Sequence, residues 1–206
     1  MKTKLMKTYA GLKVGISLAV LGMTLTPAIA QQTRHERYAT TSEVRSIRQK
    51  VRQGGCGSSC PPDRRSTAER RSIQSFIRAW SQVDPAIAPF LGSWSPGELY
   101  GELFMSIYPS TKKGRVCIIN EGEGGGFLNL GNVSHGLIRT DVRYILFKEG
   151  AYLAGVTVDN GKAQLWPFLI NPNKLQDPNK LTVENRQELM QKFSRSGCTA
   201  SLPKRR

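Results

Sequence analysis

Apolar positions along the chain keep one spacing in its early part and another in its middle, and the change predicts the elements. From Ser42, read as an N-cap, Val44, Ile47 and Val51 recur at helical spacing, with Arg45, Arg48 and Arg52 on a neighbouring stripe. Ser66-Thr67-Ala68-Glu69 has the form of a capping box, and Ile73, Phe76, Ile77 and Trp80 follow on one side of a second helix. Asp84-Pro85 breaks it. From Leu99 the period becomes two: Leu99, Gly101, Leu103, Met105 and Ile107 share one strand face, and Tyr100, Glu102, Phe104, Ser106 and Tyr108 the other.

Further strands are predicted at 115–120, 127–131, 137–140, 142–148, 151–159 and 162–169, separated by short turns. Asp159-Asn160-Gly161 is the clearest hairpin, because a type I′ turn needs positive φ, which Asn and Gly supply at low cost. Pro167 places the last strand at an edge or ends its pairing. The connections are too short for parallel crossovers. The expected fold is therefore mainly β with flanking helices. It is a curved antiparallel meander of six to seven strands, closing into a small barrel or folding into a sandwich, with a helix packed on it. Asn171-Pro172-Asn173 and Asp177-Pro178-Asn179 read as loops, and Thr182 to Ser194 as a last helix capped by Thr182 and ended near Gly197.

The first thirty residues change the setting. Lys2, Lys4, Lys7 and Lys13 precede a mostly apolar run from Val14 to Leu25, and Pro27-Ala28-Ile29-Ala30 has the small-x-small pattern of a cleavage site. Residues 1–30 are expected to be a secretory signal, 31–65 a basic flexible and helical lead with a Cys/Gly/Pro linker, and 66–206 one globular domain. The apolar run falls short of the roughly 20 residues of a spanning helix, so no transmembrane helix is expected after cleavage. The expected location is secreted, periplasmic in a bacterium.

The chain carries a net charge of +15, of which +11 remains without the four signal lysines. Residues 31–78 hold eleven Lys/Arg against four Asp/Glu, so the excess is concentrated in the lead. Arg45, Arg48, Arg52, Arg64, Arg65, Arg70 and Arg71 are the candidate contact for an anionic envelope component: lipid head groups, wall polymer or acidic polysaccharide. Export disfavours nucleic acid. Cys56, Cys60, Cys117 and Cys198 suit disulfides in that compartment, and Cys56–Cys60 with Cys117–Cys198 is the preferred pairing among three. Cys56 and Cys60 have no second ligand pair for a metal.

Gly92-Ser93-Trp94 before the first strand and Thr140-Asp141 at a later boundary resemble the Gly-x-Trp opening and Thr-Asp element of calycin barrels such as lipocalins. The resemblance covers these five residues and no membership is drawn from it. It implies an apolar ligand in the barrel and Trp94 closing its base. Tyr100, Phe104 and Tyr108, read from the alternation as a row able to stack on a ring or to serve as core, are with Trp94 of the Gly-x-Trp element the candidate ligand-binding residues.

No reaction is demanded by any spacing. Glu121-Gly122-Glu123-Gly124-Gly125-Gly126 lacks the helix start of a phosphate loop and reads as a flexible connection. Ser134 and His135, if on one strand, point to opposite faces and form no nucleophile–base pair. No cofactor and no metal is implied. The expected function is a non-catalytic binding or envelope-associated protein, contacting an anionic partner or a small ligand. The alternative is a small secreted hydrolase of polysaccharide using Glu102 with Asp141 or Asp159, Glu98 being a further carboxylate.

Overall fold

The computed structural model of the chain describes residues 35–54, 65–95, 104–122 and 125–203. The expected signal peptide, the Cys56–Cys60 pair, Arg64, Tyr100 and Glu102 lie outside these residues.

The described strands are β1 (Gly92–Ser95), β2 (Phe104–Pro109), β3 (Arg115–Gly122), β4 (Gly125–Ser134), β5 (Leu137–Thr140), β6 (Ile145–Glu149), β7 (Tyr152–Asp159) and β8 (Lys162–Asn173). The helices are α1 (Thr41–Gly54), α2 (Thr67–Ser81) and α3 (Arg186–Arg195). The sheet is a curled antiparallel meander in chain order, and β1 pairs with β2 on one side and β8 on the other. Eight described strands replace the expected six to seven. One strand is added and the last is longer than expected. Gly92-Ser93-Trp94-Ser95 is itself a strand, and Asn171-Pro172-Asn173 continues β8 to reach it, with Ser93 opposite Asn173. Pro167, which lacks an N–H, is accommodated by a register shift in the β7 to β8 pairing between Leu153 and Gly155.

The Asp159-Asn160-Gly161 turn has φ of 52° at Asn160 and 71° at Gly161, as a type I′ hairpin requires. Ser66 and Glu69 form the reciprocal capping box of α2. α1 is capped two residues earlier than Ser42: Thr40 Oγ1 accepts from Glu43 N at 3.3 Å, and Glu43 Oε2 accepts from Thr40 N at 2.7 Å. α3 begins at Arg186 rather than after Thr182, and its N-cap Asn185 makes no side-chain cap bond because that side chain is engaged elsewhere: its Oδ1 accepts from Gly126 N at 2.9 Å and its Nδ2 donates to Gly126 O at 2.8 Å. His135 is not on a strand; with φ of 51° it occupies the β4 to β5 turn.

Three packed cores result. α1 buries Val44, Ile47 and Val51 against Phe147, Val156 and Val158 on the outer face of β6 and β7. α3 and the segment before it cover Tyr108, Cys117 and Ile119 on the outer face of β2 and β3, where Cys117 is joined to Cys198. The third core is inside the barrel and includes Leu91, Trp94, Ile107, Val116, Ile118, Ile138, Leu146 and Leu153. Asp84 closes this end from outside: its buried Oδ2 accepts from Gly114 N at 2.6 Å and ties the end of α2 to the β2 to β3 turn.

Candidate functional site

Residues directly opposite one another in a sheet share a face, so register identifies what points inward. Trp94 faces Met105, Met105 faces Asn120, and Asn120 faces Phe127. Ile107, Ile118 and Asn129 form the next row, and Val116, Gly131 and Thr140 the next. Val133, Ile138, Leu146, Gly155 and Trp166 complete the circuit. In an up-and-down meander, alternate turns lie at the same end. The ends of β1 and β3 and the described turns after β5 and β7 therefore mark one mouth, and the turns after β2, β4 and β6 the other.

The two ends differ in filling. At the end where the chain enters β1, a short 3₁₀ turn (Ala88–Phe90) crosses the barrel, and Trp94 is fully buried with its Nε1 donating to Phe90 O at 2.8 Å. Lys148, inward-facing at the end of β6, holds its Nζ 6.0 Å from the Trp94 ring, and burial pushes its ammonium pKa down. Gly131 leaves room here for Ile138, whose Cγ2 lies 2.3 Å from where a Cβ would stand. This half is filled mainly by apolar side chains.

Toward the other mouth the inward residues become polar and aromatic. Asn120, Phe127, Tyr144 and Trp166 are only half-buried, and Gln164 is exposed at the rim. Asn129 lies deeper at 3% exposure, and among the described residues no hydrogen bond reaches its side-chain amide. Thr157 is also buried, its hydroxyl donating to Asp159 Oδ2 at 3.0 Å. Tyr144 meets the Trp166 ring edge-on at 5.9 Å between centroids. Burial, and then the charge of Asp159, push the Tyr144 phenol up.

A strap from the N-terminal lead crosses the rim. His35 Nδ1 lies 2.8 Å from Asp159 Oδ1, and its ring stands edge-on to Tyr144 at 4.4 Å. The Glu36 carboxylate accepts from Asn160 N and Gly161 N, both at 3.0 Å. Arg143 donates to His35 O at 3.0 Å and to Glu36 O, and Tyr38 Oη donates to Thr140 O at 2.6 Å. The strap thus joins the β5 to β6 and β7 to β8 tips. The hydrogen bond from His35 is the first cause holding the Asp159 carboxyl below its usual range, with Thr157 adding to it. Residues 35–40, expected to be a flexible lead, are fastened by this network.

The candidate residues read from sequence fall in different places. Trp94 plugs the base. Tyr108 points outward, fully buried under the C-terminal segment with its Oη donating to Gln176 O at 3.1 Å, and Phe104 opens β2. Asp141 Oδ1 accepts from Leu130 N at 3.1 Å, while burial pushes its acid up. Both candidate carboxylates in the described residues therefore hold the rim together. Arg45 and Arg71 are exposed; Arg65 Nη1 donates to Pro172 O at 2.7 Å, and Arg70 is half-buried on α2. Arg48 and Arg52 both clasp Glu149, at 2.7 and 2.8 Å. Asn120, Phe127, Asn129, Tyr144, Thr157, Trp166 and His35 were not singled out by sequence.

The Glu149 clasp gives a pH expectation. The Arg52 and then the Arg48 hydrogen bonds hold the Glu149 carboxyl below its ordinary range. A carboxylate depressed in the folded state contributes stability above its unfolded pKa of about 4.3, and that contribution is lost as pH falls through the lower folded value. Glu149→Gln is expected to cost at most about 1 kcal/mol at pH 7, since the pair is open to solvent, and nothing in strong acid. Urea midpoints of the two proteins between neutral and acid pH check this.

Among the described residues no group of three or more His, Cys, Asp or Glu is placed to hold a metal ion. No helix among them is long and apolar enough to cross a membrane. Comparison of the chain with protein-family models, curated proteins and solved structures finds no match.

Proposed function

We propose that this is an exported, non-catalytic binding protein that takes a small ligand in the cup at the mouth of its barrel opposite Trp94. The observation carrying this reading is the asymmetry of the interior. One half is sealed by Trp94 and the Ala88–Phe90 turn, while inward-facing Asn120, Phe127, Tyr144 and Trp166 in the other remain half-buried. An antiparallel barrel needing only a stable core fills such positions with apolar side chains in full contact. Half-buried aromatics around polar groups are the usual lining of a small-molecule site. Export rests on the basic and apolar pattern of residues 1–30. The arginine-rich lead is a weaker basis for function, because Glu149 neutralises part of its stripe.

Titration with the neutral fluorophore N-phenyl-1-naphthylamine tests the cup. One saturable site is expected, abolished by Asn120→Trp, which fills the cup from a half-buried position, and retained in Lys148→Met at the base. Charge reversal of Arg45 and Arg71 leaves it unchanged. Absence of saturable binding to the folded protein, or binding lost on arginine reversal and kept in Asn120→Trp, overturns the reading.

A further inference from the structure

We infer that the ligand is a neutral, planar heteroaromatic molecule presenting a hydrogen-bonding edge to Asn129 and Asn120, an inference that rests on the cup being a binding site. Among the described residues the fully enclosed side-chain atoms without a partner are Asp84 Oδ1 and Glu121 Oε1, so the Asn129 amide, deep but not sealed, is open to hydrogen-bond a molecule that enters the cup. Asn129 is inward-facing and 3% exposed, and no protein group among the described residues meets its amide. An asparagine amide offers an acceptor and two donors in one plane. That set matches a ring edge carrying a donor beside an acceptor, as in a cyclic amide or a nucleobase.

Asn120 is the diagonal neighbour of Asn129 across the β3 to β4 pairing, where Asn120 faces Phe127 and Ile118 faces Asn129. Two amides therefore lie side by side, below Phe127 and the Tyr144–Trp166 pair. An edge held by Asn129 and Asn120 directs the rest of a flat ligand up toward the aromatic rings, whose faces and edges suit a π-system. Charge argues for neutrality. Lys148 is at the opposite end, and Asp159 at the rim is engaged by His35 and Thr157. Among the described residues no buried ion without a partner faces into the cup to offset the desolvation of a charged ligand. Gly155 opposite Trp166 keeps the wall low beside the indole: a Cβ there would stand 3.2 Å from both Leu146 Cδ2 and Trp166 Cβ. The polar cup departs from the apolar ligand that the calycin resemblance implies.

The test compares two neutral aromatic probes on the purified protein: lumichrome, whose fused rings carry a cyclic-imide edge, and N-phenyl-1-naphthylamine, which lacks one. Lumichrome is expected to bind about tenfold or more tightly than the naphthylamine, since a site built to hydrogen-bond discriminates against partners that leave its polar groups unpaired. Asn129→Leu should weaken lumichrome by about tenfold and change the naphthylamine by less than about twofold. If Asn129→Leu does not fold, Asn120→Leu at its half-buried position carries the same expectation with a smaller loss. Naphthylamine binding without a lumichrome preference, or a preference indifferent to both asparagines, overturns the inference and leaves the cup standing. Failure of the naphthylamine to bind overturns the cup and the inference with it.

Discussion

Replacing Cys117 and Cys198 together by alanine is expected to lower the stability of the protein by about 4–5 kcal/mol, the chain-entropy value for a bridge spanning 81 residues. The bridge joins the centre of β3 to the tail behind α3, so most of the barrel lies within the loop it closes. Local bonds hold the same junction in the folded state. Thr199 N donates to Pro109 O at 3.0 Å, Thr111 N donates to Gly197 O at 2.8 Å, and Gly197 with φ of 75° leads the chain away from α3. These contacts keep the native geometry without the bridge. They do not shrink the unfolded ensemble, which is where a long loop exerts its effect. Urea unfolding of the double variant measures the loss. Loss of less than about 1 kcal/mol contradicts this account of the bridge.

Trp94→Ala is expected to cost about 3–5 kcal/mol, the range for deleting a large buried aromatic side chain. Trp94 is fully buried in the core that also holds Leu91, Met105 and Leu153, and its indole N–H bonds Phe90 O. Trp94→Phe separates the contributions. It keeps most of the ring volume and removes the donor, leaving Phe90 O unpaired in a buried place, for a loss of about 1–3 kcal/mol. The order Ala worse than Phe, read from urea midpoints, identifies a packed plug. Equal and small losses would mean that the base is not sealed by this side chain.

Local chemistry made parts of the fold legible. The capping box at Ser66 and Glu69, the Asn160-Gly161 hairpin and the alternation of strands each follow from a few neighbouring residues, and the structure contains them. Disulfide bonding followed from an even cysteine count in a chain with a secretory pattern, whereas the Cys117–Cys198 pairing was only the preferred one of three and is the one present. Closure was less legible, because it depends on β1 meeting β8, and the residues doing so include Pro172 and two asparagines that resemble a loop.

The residues of the proposed cup were the least legible part, for a physical reason. β3 and β4 are covered on both faces, by the barrel interior and by α3, so Ile118 and Ile119 are both buried and the alternation that marks an inward position is faint. Asn129, between Leu128 and Leu130, then carries no visible orientation. Only the register with Ile118 turns it inward. The arginine stripe misled in the opposite direction: Arg48 and Glu149 are separated by 101 residues, and nothing local announces their pairing.

The sealed base and open mouth together are the central claim, and hydroxyl-radical footprinting read by mass spectrometry tests both at once at individual tryptophans. The account predicts that Trp166, half-buried at the cup, oxidises readily and is protected by saturating N-phenyl-1-naphthylamine, while Trp94, fully buried, stays unmodified with or without the probe. Oxidation of Trp94 at the rate of Trp166, or a Trp166 whose oxidation the bound probe leaves unchanged, would contradict it.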